Sequence, residues 1–355
     1  MTAAVLGLCI VSGISLWLYF STSPPQTTTT AATSAVTAAT TKNAAAGCCS
    51  SVPTLPAVSN NSPRKKGGDG KLEKITFGGP GWRAGPGKFS NNYGVAVSAD
   101  NEIFVTDFYN RRVQVFSING AYLRLFPTIV SGECKKMGGC KTVYMHPSGV
   151  SFDVDPGYMW VVGQSKRHLN CKLYDVVVRY STNGRLINKF DVGSTIFYPA
   201  IAMDVRNNKI IVGEKDRIMM FHPNGTLYWS SKLPGSFVEG VTSDREGNVL
   251  LTDGKKSVKV YNPSGVQSWE FGKIHGPGKG QLRFPKGICL DTSGRIIVAN
   301  SNNRVDMFTS RGEFIRTIAT MEEPWGIAMG PDGELVVTSP RTQTVTVFPR
   351  QMVRL

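Results

Sequence analysis

Few residues in this chain of 355 have the types and spacing that chemistry would require. Of its four histidines, only His146 stands just ahead of one of the repeated apolar strands. Aspartates recur where such strands end, at Asp153, Asp204, Asp244 and Asp291, but an Asp before a turn usually caps that turn. The seven cysteines lack the spacing of metal ligands. We therefore predict no catalytic residue, no metal and no cofactor, and we expect that the chain is not an enzyme.

Positive charge, in contrast, is abundant. The chain has 40 Lys and Arg residues against 25 Asp and Glu residues, a formal net charge of +15. Such an excess favours encounters with acidic partners but does not indicate a fold. Where these charges lie depends on the elements that carry them.

An internal repeat that starts near Phe77 sets those elements. Each repeat has a small residue that opens an apolar strand, then a second and a third apolar strand, and in most cases a tight turn such as Asn119–Gly120. Successive openings lie 39 to 55 residues apart, which is the length of one four-stranded propeller blade with loop insertions. The six openings are Gly94–Val97, Gly149–Phe152, Ala200–Met203, Gly240–Ser243, Gly287–Leu290 and Gly326–Met329.

The sixth repeat lacks a fourth strand after Phe348. The missing strand is predicted at the other end of the repeats, because Gly70–Phe77 reads like the fourth strand at Gly312–Ile318. Pairing of the two chain ends would close the ring and remove the exposed sheet edges. The sequence therefore predicts an all-β, six-bladed propeller over residues 70–355, closed by an N-terminal strand.

Two stretches of the repeat carry a family resemblance. Phe104–Phe116 and Ile296–Phe308 resemble NHL repeats, and the resemblance extends from Gly70 to Pro349. The region is similar to the C-terminal propeller of tripartite-motif proteins, which implies a platform that binds proteins or single-stranded RNA. The RING, B-box and coiled coil of those proteins are absent from this sequence, so intrinsic ubiquitin-ligase activity is not expected.

The connectivity of a propeller sorts the charges onto two faces. Loops between blades and turns between second and third strands emerge on one face, which is predicted to be basic, and the other face is predicted to be mildly acidic. Phe108 and Tyr109 lie in these loops and could stack on a ligand. The alternative is that the basic residues only keep the surface soluble. The candidate ligand-binding residues are Arg111, Arg112, Lys166, Arg167, Lys172, Lys215, Arg217, Lys255, Lys256, Arg304 and Arg341.

Two long insertions, Pro127–His146 and Gly163–Asp175, belong to the second blade and to the basic face. They contain three cysteines. Cys134 is expected to pair with Cys140 or Cys171 if the domain is luminal. Free thiols are the alternative, in a cytosolic propeller.

The chain begins with an apolar run at residues 3–20, just long enough to cross a membrane as a helix. We predict an uncleaved signal-anchor over residues 1–20, with a cleaved signal peptide as the alternative. Residues 21–69 form a Thr/Ser/Ala-rich stalk or linker. Sequons at Asn60 and Asn224 favour a single-pass protein with a luminal or extracellular propeller, secreted if the segment is cleaved.

Three functions follow from these expectations. The first is a monomeric binding scaffold whose basic face holds an acidic protein, a sulfated glycan or single-stranded RNA. The second is a substrate-recognition subunit in ubiquitin-dependent protein degradation, as the tripartite-motif resemblance implies. The third, and least favoured, is a metal-dependent propeller hydrolase or lyase.

Overall fold

The computed structural model describes residues 73–135, 139–166, 173–193, 198–272, 274, 276 and 278–354. The described strands belong to one unit, Gly67–Leu355. In chain order, the first strand is β1 (Ile75–Gly78). Blade 1 follows, with β2 (Val95–Val97), β3 (Glu102–Asp107), β4 (Arg112–Ser117) and β5 (Tyr122–Pro127). A hairpin, β6 (Ile129–Lys135) and β7 (Gly139–Tyr144), leads to blade 2 with β8 (His146–Phe152), β9 (Tyr158–Lys166), β10 (Leu173–Ser181) and β11 (Leu186–Gly193).

The remaining blades repeat the same four-stranded antiparallel order, and a short helix ends the described chain. Blade 3 has β12 (Ala200–Asp204), β13 (Lys209–Glu214), β14 (Arg217–Phe221) and β15 (Leu227–Lys232). Blade 4 has β16 (Gly240–Ser243), β17 (Val249–Thr252), β18 (Val258–Tyr261) and β19 (Gln267–Phe271). Blade 5 has β20 (Pro285–Leu290), β21 (Ile296–Asn300), β22 (Arg304–Phe308) and β23 (Phe314–Thr320). Blade 6 has β24 (Ile327–Met329), β25 (Leu335–Ser339) and β26 (Thr344–Phe348), followed by α1 (Arg350–Val353).

The ring closes where the sequence predicts. Strand β1 pairs antiparallel with β26 and completes blade 6, with Ile75 opposite Val347 and Phe77 opposite Val345. The ring of Phe77 then packs on Phe116 of blade 1, with 4.7 Å between centroids. The prediction of an all-β, six-bladed propeller closed by an N-terminal strand is confirmed.

The core lies between the blades. One cluster joins Trp160 and Val177 of blade 2 to Ile201 and Val212 of blade 3, and the other clusters likewise join neighbouring blades. Each middle strand is therefore covered on both faces, which is why Ile210–Val212 is a continuous apolar run rather than an alternating one. Sheets buried in this way fix the positions of the strand ends from which the loops emerge at the two faces of the ring.

Small residues let the innermost strands approach one another around the central channel. A Cβ atom added to Gly240 would lie 2.5 Å from the carbonyl oxygen of Lys286 in the next blade. A Cβ atom added to Gly326 would lie still closer to the carbonyl oxygen of Tyr93. These openings are glycine because a larger residue would force neighbouring blades apart.

The predicted anchor at residues 1–20, the stalk at residues 21–69 and Asn60 all lie outside the described residues. Within the described ranges, no helix combines the length and the apolar character needed to cross a membrane.

A disulfide engineered across the closing pair tests the ring closure. Thr76 and Thr346 are register partners with their Oγ1 atoms 3.1 Å apart, so Thr76→Cys with Thr346→Cys places two thiols at bonding separation. We expect complete cross-linking on oxidation and a free energy of unfolding raised by about 2–4 kcal/mol. The measurement is denaturation with and without reductant.

The matched control moves one cysteine out of register, as Thr76→Cys with Thr344→Cys, because residues diagonal in a ladder lie too far apart to bridge. Cross-linking that is equal in both double variants, or missing from the in-register one, would show that the chain ends are not paired in this way.

Candidate binding face

The loops that connect successive blades, and the turns between second and third strands, emerge on one side of the ring, here called the loop face. Most predicted ligand-binding residues are in its turns or at the strand ends beside them. Arg111, Lys215, Lys255, Lys256 and Arg341 lie in turns, and Arg112, Arg217 and Arg304 each begin a third strand. Lys166 ends β9. Arg167, Lys172 and Cys171 lie outside the described residues.

Arg112 holds blade 1 together internally. Its Nε atom lies 2.8 Å from the buried carboxylate of Asp107. Its Nη2 atom donates hydrogen bonds to the carbonyl oxygens of Gly85 and Lys88. Burial raises the pKa of Asp107, while hydrogen bonds from the backbone N–H of Ser90 and from Arg112 and other side chains oppose that rise. The guanidinium of Arg112 thus fastens the loop entering blade 1 to the end of β3.

Arg304 has the same role in blade 5, but the carboxylate and the amide side chains beside it have exchanged their strand positions. It contacts Asp306 at 3.1 Å and donates to the carbonyl oxygens of Gly278 and Gln281. By strand register, Asn300 occupies the place of Asp107, and Asp306 occupies the place of Gln114. One carboxylate faces one guanidinium in both blades, although it comes from different positions.

Other cations of the loop face also have acidic neighbours. Arg217 lies 3.2 Å from Glu214, and Arg341 lies 3.7 Å from Glu323. The turn that carries Lys255 and Lys256 is capped by Asp253, whose Oδ1 atom accepts both of their backbone N–H groups. Capping fixes the turn backbone and leaves the two lysine side chains at the surface of the face.

An aromatic cluster closes the channel on this face. The ring centroid of Tyr93 lies 4.3 Å from that of Tyr198 and 5.0 Å from that of Trp325. Burial raises the pKa of Tyr93 strongly. Phe108 is only 5% exposed inside this cluster, whereas Tyr109 is 45% exposed, so Tyr109 alone of the two predicted aromatic contacts presents a ring to solvent.

His146 belongs to the same cluster. Its ring lies 5.1 Å from that of Phe108, and its Nδ1 atom is 3.0 Å from the carbonyl oxygen of Phe108. The narrow cavity below the cluster has about 80 Å³ and is lined mainly by the inner strands. Among the described residues, no three His, Cys, Asp or Glu side chains come together as metal ligands would.

The remaining candidate sites are placed as follows. Cys134 and Cys140 are register partners in the β6–β7 hairpin, which suits the predicted pairing, and that pairing stays a prediction. Asn224 is exposed on the opposite face, where its Oδ1 atom accepts the N–H of Thr226 at 2.9 Å.

Solved structures with the same fold correct one prediction. A streptogramin B lyase superposes with a TM-score of 0.53 at 18% identity, covering 78% of this chain and 97% of the lyase. Virginiamycin B lyase from Staphylococcus aureus gives 0.51 at 14% identity, covering 78% and 98%. These findings contradict the prediction that the chain is not an enzyme, because both of these propellers are named as lyases. At these identities the likeness shows the fold alone.

The curated relatives match this chain over only a part of their own length. Protein brain tumor of Drosophila melanogaster is 31% identical over 144 residues, which are 40% of this chain and 12% of that protein. Human E3 ubiquitin-protein ligase TRIM32 is 23% identical over 274 residues, which are 71% of this chain and 41% of TRIM32. The chain therefore spans less than half the length of either relative.

Removing the carboxylate from blade 1 should destabilise the fold. Asp107→Asn leaves the guanidinium of Arg112, whose side chain is 12% exposed, without its counter-charge. We expect the free energy of unfolding to fall by about 3–5 kcal/mol. Chemical denaturation measures this loss.

A second variant copies the arrangement of blade 5. In Asp107→Asn with Gln114→Asp, the carboxylate returns from the position that Asp306 occupies, so part of the lost stability should be recovered. If the double variant unfolds as easily as Asp107→Asn alone, charge pairing is not what holds this corner of the blade.

The same two blades identify the repeat. The sequence model of the family described as "NHL repeat" matches residues 94–116, which contain Asp107 and Arg112, and residues 282–304, which end at Arg304. These stretches lie in blades 1 and 5 of a closed ring of six. These matches show NHL repeats in blades 1 and 5 of the propeller, and the chain is similar in sequence to the curated relatives named above.

Proposed function

We propose that this propeller is a binding scaffold whose loop face holds an acidic partner. The proposal rests on the backbone conformation of two basic residues in the turns of the loop face. Arg111 and Lys215 adopt left-handed conformations, with φ of 54° and 47°. The corresponding turn of blade 4 has Gly254 in that conformation, with φ of 63°.

Left-handed backbone costs an ordinary residue about 1–2 kcal/mol, and glycine avoids this cost. Stability alone would therefore favour glycine or asparagine at both positions, as Asn303 in blade 5 illustrates. Strained positions of this kind cluster at functional sites. Long cations kept at strained, exposed turns on one face support a role in contacting an acidic ligand.

Three classes of acidic partner fit this face: an acidic protein, a sulfated glycan and single-stranded RNA. The aromatic groups beside the cations, Tyr109 among them, suit a partner that also offers flat or apolar groups. Membrane attachment through residues 3–20 and a luminal or extracellular propeller complete the proposal, and such a location would favour the first two classes.

Retention on charged resins tests the proposal. The protein is passed over immobilised polyglutamate, heparin, oligouridine and neutral agarose at increasing salt concentrations. We expect retention on one or more of the acidic resins that falls with salt, because surface charge interactions are screened. Equal retention on neutral agarose would contradict the proposal.

Variants assign the retention to the loop face. Arg111→Gly and Lys215→Gly remove a cation and relieve backbone strain, so each should weaken binding about two- to five-fold without loss of stability. The control is Arg185→Ala, which removes an exposed cation in a turn of the opposite face. An equal effect of Arg185→Ala would mean that the binding is not confined to one face.

A second candidate function rests on the likeness to TRIM32, whose name describes an E3 ubiquitin-protein ligase. In this function the propeller selects proteins for ubiquitination by another chain. Proteins captured by the wild type, but not by Arg111→Gly with Lys215→Gly, should then gain ubiquitin in cells. Glycosidase-sensitive modification at Asn224, absent from Asn224→Gln, would place the propeller away from the ubiquitin machinery and contradict this candidate.

A further inference from the structure

A second cavity on the loop face lies at the outer side of blade 1. It has about 370 Å³ and is lined by three aromatic residues and three arginines, together with Ala84, Asn110, Leu125 and Pro127. We call it the blade-1 pocket, defined by Trp82, Arg83, Tyr109, Arg111 and Tyr144. All three aromatic residues are at least 38% exposed, so each presents part of its surface to a ligand.

Two of the three arginines, Arg83 and Arg111, lie near aromatic rings, whereas Arg112 is paired with Asp107. The guanidinium carbon of Arg83 lies 4.3 Å from the centroid of Trp82, and that of Arg111 lies 5.9 Å from the centroid of Tyr144. Within the part of the chain that the structure describes, neither guanidinium has a carboxylate partner. The pocket thus combines aromatic walls with two positive charges that no described acid neutralises.

The pocket is also rigidly built. Asn110 accepts the backbone N–H of Arg83 at 2.7 Å and donates to the carbonyl oxygen of Gly81 at 3.0 Å. Asn110 donates in turn to the buried carboxylate of Asp107. Arg83, like Arg111, has a left-handed backbone with φ of 54°. The structure therefore maintains strain at both arginines, as expected where a ligand is bound by preorganised groups.

The lining specifies the ligand chemistry. Aromatic walls bind another aromatic ring by stacked or edge-to-face contacts. Guanidinium groups pair with phosphate or sulfate oxygens through paired hydrogen bonds. A plain carboxylate side chain would leave the aromatic walls unused, and an unmodified tyrosine would leave the two charges unpaired.

We infer that the blade-1 pocket binds a tyrosine side chain esterified with phosphate or sulfate, within an acidic segment of a partner protein. This inference rests on the proposed function and specifies one part of it. Single-stranded RNA is the less favoured occupant, because RNA binds along a groove in which successive bases stack on separate aromatic platforms. In the blade-1 pocket the three aromatic rings surround a single cavity.

Fluorescence anisotropy with labelled peptides tests the inference on the full propeller. The probes are Glu-Glu-Tyr-Glu-Glu peptides carrying phosphotyrosine, sulfotyrosine or unmodified tyrosine, a phosphoserine counterpart, and oligouridine. We expect one or both tyrosine esters to bind about ten-fold tighter than the tyrosine and phosphoserine peptides. Tighter binding of the phosphate or of the sulfate ester identifies the source of the modification.

Trp82→Ala and Arg83→Ala should each abolish this ten-fold preference, and both change exposed loop residues rather than the core. Arg185→Ala, an exposed cation on the opposite face, is the matched control and should preserve it. Equal binding of the phosphotyrosine and phosphoserine peptides, or tighter binding of oligouridine than of any peptide, would overturn the inference.

The two proposals fail separately. If Trp82→Ala and Arg83→Ala leave every peptide affinity unchanged while retention on polyglutamate still depends on Arg111, only the blade-1 pocket is excluded. If the wild type is retained on no acidic resin, the proposed function itself is excluded. Thermal unfolding of each variant establishes that lost binding is not lost folding.

Discussion

Each sheet of the propeller has two apolar faces, and only a closed ring provides both of them with a neighbour. The constraint reaches the innermost strands, where glycines such as Gly240 allow blades to meet at backbone distance. It also requires that blade 6 borrow β1 from the start of the repeats. The strand ends at the loop face are fixed for this reason, because each belongs to a sheet that is packed between two neighbours.

Buried charge connects that framework to the surface. Arg112 donates hydrogen bonds to Asp107 and to the loop entering blade 1. Asn110 extends the same network to Arg83. The adjacent Arg111 remains available to a ligand. One turn of the chain thus contains Arg112, which stabilises the fold, and Arg111, which is exposed to a ligand.

The fold could be predicted from the sequence because the repeat, its small openings and the unpaired last strand are all local patterns. The roles of Arg111 and Arg112 could not be separated in that way. They differ through strand register and backbone conformation, which place Arg112 opposite Asp107 and turn Arg111 outward. Tyr198 gave no signal in the sequence, because a loop residue ahead of a proline reaches Tyr93 only once the ring is closed. Catalysis was excluded wrongly, since an inventory of residue types does not decide what a propeller channel can do.

The seam between β1 and β26 has a mechanical consequence. The polypeptide enters the ring through the outermost strand of blade 6, which is secured by four residue pairs, from Ile75–Val347 to Gly78–Thr344. Tension arriving from the N-terminal side is therefore borne first by this short ladder and not by the cores between blades. A tethered propeller pulled from that end would unzip at the seam before any other sheet is loaded.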